Sequence, residues 1–164
     1  MRISSRSLYV AIAAAGFGLP AVGLVYFQKV LYLLPCPMCV MQRIAFLLAG
    51  ALALAAALHN PGRTGRRFYG GLIGLAALGG LGVALRQLYL IHFPPPFSFE
   101  CGVSPEEKLL NALPLAKWWP GMFQAIGDCT EVAWTFLSVS IPGWAAICFA
   151  AILAAALWTA SRKN

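Results

Sequence analysis

Four apolar stretches, residues 8–27, 40–58, 68–90 and 141–160, decide what this chain can fold into. A bilayer's hydrocarbon core is about 30 Å thick and takes about 20 helical residues to cross, which each stretch supplies. Of the 164 residues, 60% are hydrophobic and only 10% are charged, which excludes an ordinary soluble domain. The expected fold is an all-α membrane protein, a four-transmembrane-helix bundle forming one membrane domain over residues 1–164. Small residues such as Ala13-Ala14-Ala15-Gly16 and Gly79-Gly80 let helix backbones approach closely in lipid.

Four spans put both termini on one side, and the short flanks say which. Arg2, Arg6, Arg63, Arg66, Arg67, Arg162 and Lys163 all fall on the terminal side, so the positive-inside rule makes both termini and the loop at 59–67 cytoplasmic. The outer face then holds loops at about 28–38 and 91–143, with Lys29, Arg43, Arg86, Lys108 and Lys117 and all five acids. The formal charge of +7 is therefore a topology signal, and no nucleic-acid partner is expected. Arg2 and Arg6 ahead of an apolar run resemble a signal peptide, but the run continues through Gly23-Leu24-Val25-Tyr26-Phe27, so a retained span is expected. His59, in the basic turn after the second stretch, reads as a polar interfacial residue.

Chemistry concentrates at Cys36-Pro37-Met38-Cys39-Val40-Met41-Gln42-Arg43, where a loop becomes helix. Proline suits the first helical position, so Pro37 at N1 makes Cys36 the cap and puts Cys39 in the first turn. Free backbone N–H groups and the helix dipole favour a thiolate there. Arg43 shares a face with Cys39 at i, i+4 and brings a cation to the sulfur.

In the outer loop, residues 109–120 are apolar and aromatic but are broken by Pro114 and Pro120, so they cannot form a fifth span. Trp118 and Trp119 beside Lys117 suit the headgroup region, and this outer segment is expected to skim the membrane rather than build a separate core. Pro94-Pro95-Pro96 ends the third span after Arg86, Gln87 and His92. Arg86 snorkels outward, or joins Gln87 or His92 in lining a pocket with Arg43.

Five cysteines remain to be weighed. Cys148 lies within the fourth span and reads as a small packing residue. Cys36, Cys39, Cys101 and Cys129 share the outer face, where a redox relay, structural disulfides and a zinc site are all open readings. A relay would pass oxidising equivalents between a loop pair that meets a soluble dithiol and a boundary pair that meets an acceptor in lipid. A quinone suits the second role, being lipid-soluble and taking two electrons with two protons.

The pattern resembles the DsbB family of bacterial inner-membrane proteins. The resemblance rests on the four spans, Cys36-Pro37-Met38-Cys39 with Gln42-Arg43, the proline-rich approach to Cys101, Leu113-Pro114-Leu115-Ala116-Lys117-Trp118, and Gly127-Asp128-Cys129. It implies an enzyme, a quinone-reducing protein-disulfide oxidoreductase that reoxidises a periplasmic DsbA-type thiol oxidase and draws on the ubiquinone or menaquinone pool. Carried onto this sequence, Cys101 forms the mixed disulfide with the partner, Cys129 then attacks Cys36, and Cys39 engages the quinone beside Arg43. Gln87, Arg86 and His92, in that order, are the further quinone contacts the resemblance suggests. The alternatives are a paralogue serving another thiol oxidase and a non-enzymatic scaffold with structural disulfides.

Overall fold

Ser4 caps the first helix, α1 (Ser5–Val22), its Oγ accepting the Ser7 N–H at 3.1 Å. The computed structural model describes residues 4–94, 105–132 and 134–161; Cys101, Pro95 and Pro96, and the terminal bases Arg2, Arg162 and Lys163 lie outside the described residues. Pro20 removes one donor from the ladder of α1, and from Gly23 to Val30 the chain continues as a wider π-helix. The helical run therefore covers Gln28, a residue the sequence reading put in a loop. Tyr32, in the left-handed region at φ 54°, then turns the chain toward Cys36.

Helix α2 (Pro37–His59) ends at Asn60, whose left-handed backbone donates to Ala56 O at 3.0 Å, and Pro61 prevents continuation. Helix α3 (Arg63–His92) returns across the bundle. The outer segment folds into three short helices, α4 (Pro105–Ala112), α5 (Pro114–Trp118) and α6 (Pro120–Phe123). A two-stranded antiparallel hairpin follows, β1 (Thr135–Phe136) and β2 (Val139–Ser140), and α7 (Ile141–Ser161) closes the bundle. Leu137 and Ser138 both take positive φ in the hairpin turn, without the Asn-Gly signal that would have announced it. Among the described residues, α1 with its π-helical extension, α2, α3 and α7 are four helices long and apolar enough to cross a membrane.

Side by side, α1 packs along α2, α2 along α3, and α3 along α7. Their shared core is built mostly of small residues, including Ala49, Ala53, Ala56, Ala77 and Ala156, around Phe46 stacked on Phe149 at 3.9 Å. At the α1–α2 crossing a Cβ on Gly16 would stand 2.5 Å from Gly50 Cα, so backbone meets backbone there. On α3, a Cβ on Gly80 would fall inside the Phe149 ring, whereas one on Gly79 would meet open space. Gly80→Ala is accordingly expected to cost about 1–3 kcal/mol through overpacking. Gly79→Ala should be neutral or stabilising by up to about 1 kcal/mol through helix propensity. Thermal denaturation of the two variants in detergent checks this opposite response of neighbouring residues.

The outer segment docks on α2 through a second, smaller core in which Leu110 and Ala125 pack on Val40. Asn111 clamps that contact, donating from Nδ2 to Ala125 O and accepting the Ala125 N–H, both at 3.0 Å. The outer segment thus builds no core apart from the bundle: its buried residues pack on α2. Leu109, Leu113, Leu115, Trp118 (83% exposed) and Trp119 stay uncovered, an apolar surface suited to the headgroup region.

Candidate functional site

Helix α2 starts on sulfur. Cys36 is its N-cap, with Sγ accepting the Cys39 N–H at 3.3 Å, and Pro37 occupies the first turn as its fixed φ favours. The two sulfurs, both free thiols, lie 2.8 Å apart, and Cys36 is only 2% exposed.

A third sulfur arrives from the outer segment. Ile126 N–H and Gly127 N–H both donate to Pro35 O at 3.0 Å, which lays the segment against the residues leading into Cys36. That approach tolerates no side chain at 127: a Cβ would stand 2.5 Å from Leu34 O and 3.2 Å from Cys36 N. Asp128 then turns the chain by accepting both the N–H and the hydroxyl of Thr130 at 2.8 Å. Cys129 Sγ consequently sits in hydrogen-bond contact with Cys36 and accepts the Met38 N–H from the first turn of α2.

These contacts split the two thiols. Cys36 is held far above the ordinary thiol range, first by its hydrogen bond to Cys129, then by that to Cys39, then by burial. Cys129 is held below it, chiefly by the same Cys36 hydrogen bond, with burial opposing and the Met38 N–H assisting. The proton thus stays on Cys36, and Cys129 is the better thiolate.

On the other side, Gln87 of α3 is 3% exposed and presents Nε2 at 3.3 Å from Cys36 Sγ and 3.5 Å from Cys39 Sγ. Gln42 Nε2 donates to Gln87 Oε1 at 2.8 Å, which turns the Gln87 amide so that its NH2 faces the sulfurs. Arg43 reaches over Gly23, where a Cβ would stand 3.5 Å from Nε, and donates from Nη1 to Met122 O at 3.3 Å. Arg86 and His92 are placed elsewhere: both are exposed, and His92 Nδ1 lies 2.8 Å from Leu88 O of its own helix. At 3.6 residues per turn, a face that buries Gly80, Ala84 and Gln87 cannot also carry residues 86 and 92.

Cys36, Cys39, Arg43 and Gln87 border one cavity of about 430 Å3. Its wall is largely apolar and includes the aromatic side chains of Phe27, Trp134, Phe136 and Trp144, and the hairpin is held over it by Trp144 Nε1 donating to Phe136 O at 3.1 Å. Gln28, Asp128, Glu131 and Cys148 also line it. Sequence reading assigns Cys148 a packing role and Gln28 and Trp134 none, because the π-helix and the fold of the outer segment that bring residues to this cavity are tertiary features.

A four-span bundle with a buried dithiol at one helix start, a third cysteine against it and an apolar cavity beside it defines a class: a multi-pass membrane thiol–disulfide protein. The profile of the family described as DsbB, disulfide bond formation protein DsbB, matches residues 5–159. The chain is 50% identical over 153 residues to disulfide bond formation protein B of Nitrosospira multiformis, covering 93% of this chain and 89% of the relative. It is 50% identical over 155 residues to that of Nitrosomonas europaea, covering 93% of each. The match to the Aromatoleum aromaticum protein of the same description is 45% over 162 residues, covering 98% of this chain and 95% of the relative. The chain belongs to the DsbB family, and its role is in disulfide bond formation as a disulfide oxidoreductase.

Proposed function

We propose that this chain reoxidises a periplasmic DsbA-type thiol oxidase and passes the electrons to a membrane quinone, ubiquinone or menaquinone, in a bacterial inner membrane. The orientation is the one the flanking bases predict, with the sulfurs on the periplasmic face and both termini cytoplasmic. The observation that carries the proposal is the position of the Cys36–Cys39 dithiol, between Cys129 on one side and the apolar cavity on the other.

The cavity fits a quinone headgroup. About 430 Å3 lies within the range of small-molecule sites, the walls are mostly apolar with several aromatic rings, and Arg43 and Gln87 bring polar donors to one side. Phe27, Trp134 and Phe136 would hold the ring, with Arg43 and Gln87 turned to its oxygens. When bound, a quinone takes up the two electrons and two protons released as a dithiol becomes a disulfide.

The protein's own residues account for the remaining steps. A thiolate of the reduced partner attacks a Cys101–Cys129 disulfide at Cys101, forming a mixed disulfide and releasing Cys129 as a thiolate. Cys129 attacks Cys36 of a Cys36–Cys39 disulfide, so that a Cys129–Cys36 bond forms and Cys39 leaves with the electron pair. The helix start, Gln87 Nε2 and Arg43 favour that negative charge on Cys39. Cys36 serves as the relay's junction, because its sulfur lies against those of both Cys39 and Cys129.

Stopped-flow oxidation of a reduced DsbA-type partner, following quinone absorbance and free thiols together, tests the proposal. One quinone should be reduced per dithiol consumed; no turnover with either quinone in folded protein would favour a scaffold with structural disulfides. Arg43→Ala should slow quinone reduction about a hundredfold, as loss of one charge-stabilising donor does. Exchange with the partner should change little, since Asn111 and Pro35 still hold the outer segment; equal loss in both steps would remove Arg43 from the quinone site.

A further inference from the structure

Two amides lie buried together beside the sulfurs, where α2 meets α3. Gln42, one turn beyond Cys39 on α2, is 4% exposed, and Gln87 on α3 is 3% exposed. A side-chain amide has a donating and an accepting end of nearly the same shape, so a half-turn about its last bond exchanges them. At Gln87 the exchange would matter, because both ends reach Cys39: Nε2 stands 3.5 Å and Oε1 3.9 Å from its sulfur. Nε2 also stands 3.3 Å from Cys36 Sγ. A thiolate accepts hydrogen bonds and repels a carbonyl oxygen, so the reduced, ionised pair is stabilised only when the NH2 end faces it.

Gln42 decides which end that is. Its Nε2 donates to Gln87 Oε1 at 2.8 Å, which occupies the accepting end and leaves the donating end for the sulfurs. Turning Gln87 over would set its NH2 against the NH2 of Gln42, donor on donor, and its carbonyl against sulfur. We propose that Gln42 is a positioning residue that makes the Cys36–Cys39 disulfide more oxidising by holding the Gln87 amide with its donors on the sulfurs. The effect runs through the reduced state. When the disulfide takes up two electrons and one proton, Cys36 becomes a thiol and Cys39 a thiolate, and that charge meets a donor already in place. A more oxidising pair draws electrons more readily from the outer cysteines. This rests on the reading of Cys36 and Cys39 as a redox pair and holds whichever acceptor later takes the electrons. Polar side chains that pair between helices in lipid can also serve only to hold the helices together. That role would move stability and leave the potential of the dithiol untouched.

The test equilibrates the full-length protein, in detergent and without quinone, with glutathione buffers of varied ratio. Cys101→Ser and Cys129→Ser are present throughout, so that the outer cysteines take no part. Two glutathione thiols and the Cys36–Cys39 disulfide give the dithiol and one glutathione disulfide, and a maleimide of added mass counts the free thiols. Gln42→Met keeps the side-chain length and removes the donor; Gln42→Leu replaces it if the first variant does not fold. The expected result is an equilibrium constant for reduction lowered about tenfold, as for loss of a hydrogen bond to a charged group, a potential lower by about 30 mV. Gln87→Met should lower it at least as much, and adding Gln42→Met to Gln87→Met should change it less than about twofold, since Gln42 acts through Gln87. An unchanged potential in Gln42→Met, whatever its stability, or losses that multiply in the double variant, overturns the assignment of Gln42 alone. Failure of the Cys36–Cys39 pair with Gln42 and Gln87 intact to cycle between disulfide and dithiol at any glutathione ratio overturns the redox reading of the pair, and the role of Gln42 with it.

Discussion

Cys39→Ser is expected to abolish quinone reduction while leaving the partner's exchange with the outer cysteines intact. The hydroxyl that replaces the sulfur is neither redox-active nor ionised at neutral pH, and no second thiol takes its place in the first turn of α2. Cys36 remains buried against Cys129, so an added oxidant should still link those two. Quinone absorbance and peptide mapping of the disulfides, taken from the same reaction, check both halves. Persistent quinone reduction in this variant would point to Cys148, which lines the same cavity from α7, as the sulfur that meets the quinone.

Gly127→Ala should slow transfer between Cys129 and Cys36 about a hundredfold, the effect of displacing a reacting group by around 1 Å. The new Cβ would meet Leu34 O and Cys36 N, backbone atoms that cannot rotate aside, so the segment has to lift off Pro35. Quinone reduction by chemically reduced protein should be unaffected, because Cys36, Cys39, Arg43 and Gln87 belong to α2 and α3 or the cap between them and the loop. Rapid acid quenching of a single turnover separates the two steps. In the wild type the transfer rate should rise with pH as Cys129 ionises, because the thiolate is the attacking form. A normal transfer rate in Gly127→Ala would mean that docking on Pro35 does not position Cys129.

How far each part of the site could be read beforehand depends on how local its cause is. Pro37 at N1, the Cys36 cap and the i, i+4 placement of Arg43 are consequences of a few consecutive residues, and all three are legible in Cys36-Pro37-Met38-Cys39-Val40-Met41-Gln42-Arg43. Gln87 could be ranked ahead of Arg86 and His92 but not separated from them, because the face α3 buries is set by its neighbours α2 and α7. The hairpin went unread because Leu137-Ser138 carries no turn signal, and its positive φ values are sustained by packing around Trp144. Cys101, central to the expected relay, lies outside the described residues and stays a sequence-based assignment.

By itself the sequence determined four membrane-crossing helices, the side on which the bases gather and a dithiol at a helix start. Apolar length, charge and first-turn capping are written within single segments, and the bilayer penalises any other arrangement of them. Tertiary structure alone decided that Cys129 touches Cys36, that Gln87 rather than Arg86 faces the sulfurs, and that Gln28 borders the cavity. Each of those depends on backbones meeting across segments far apart in the chain, as Gly127 does with Leu34 and Pro35, and a close approach of that kind leaves no pattern in the residues on either side of it.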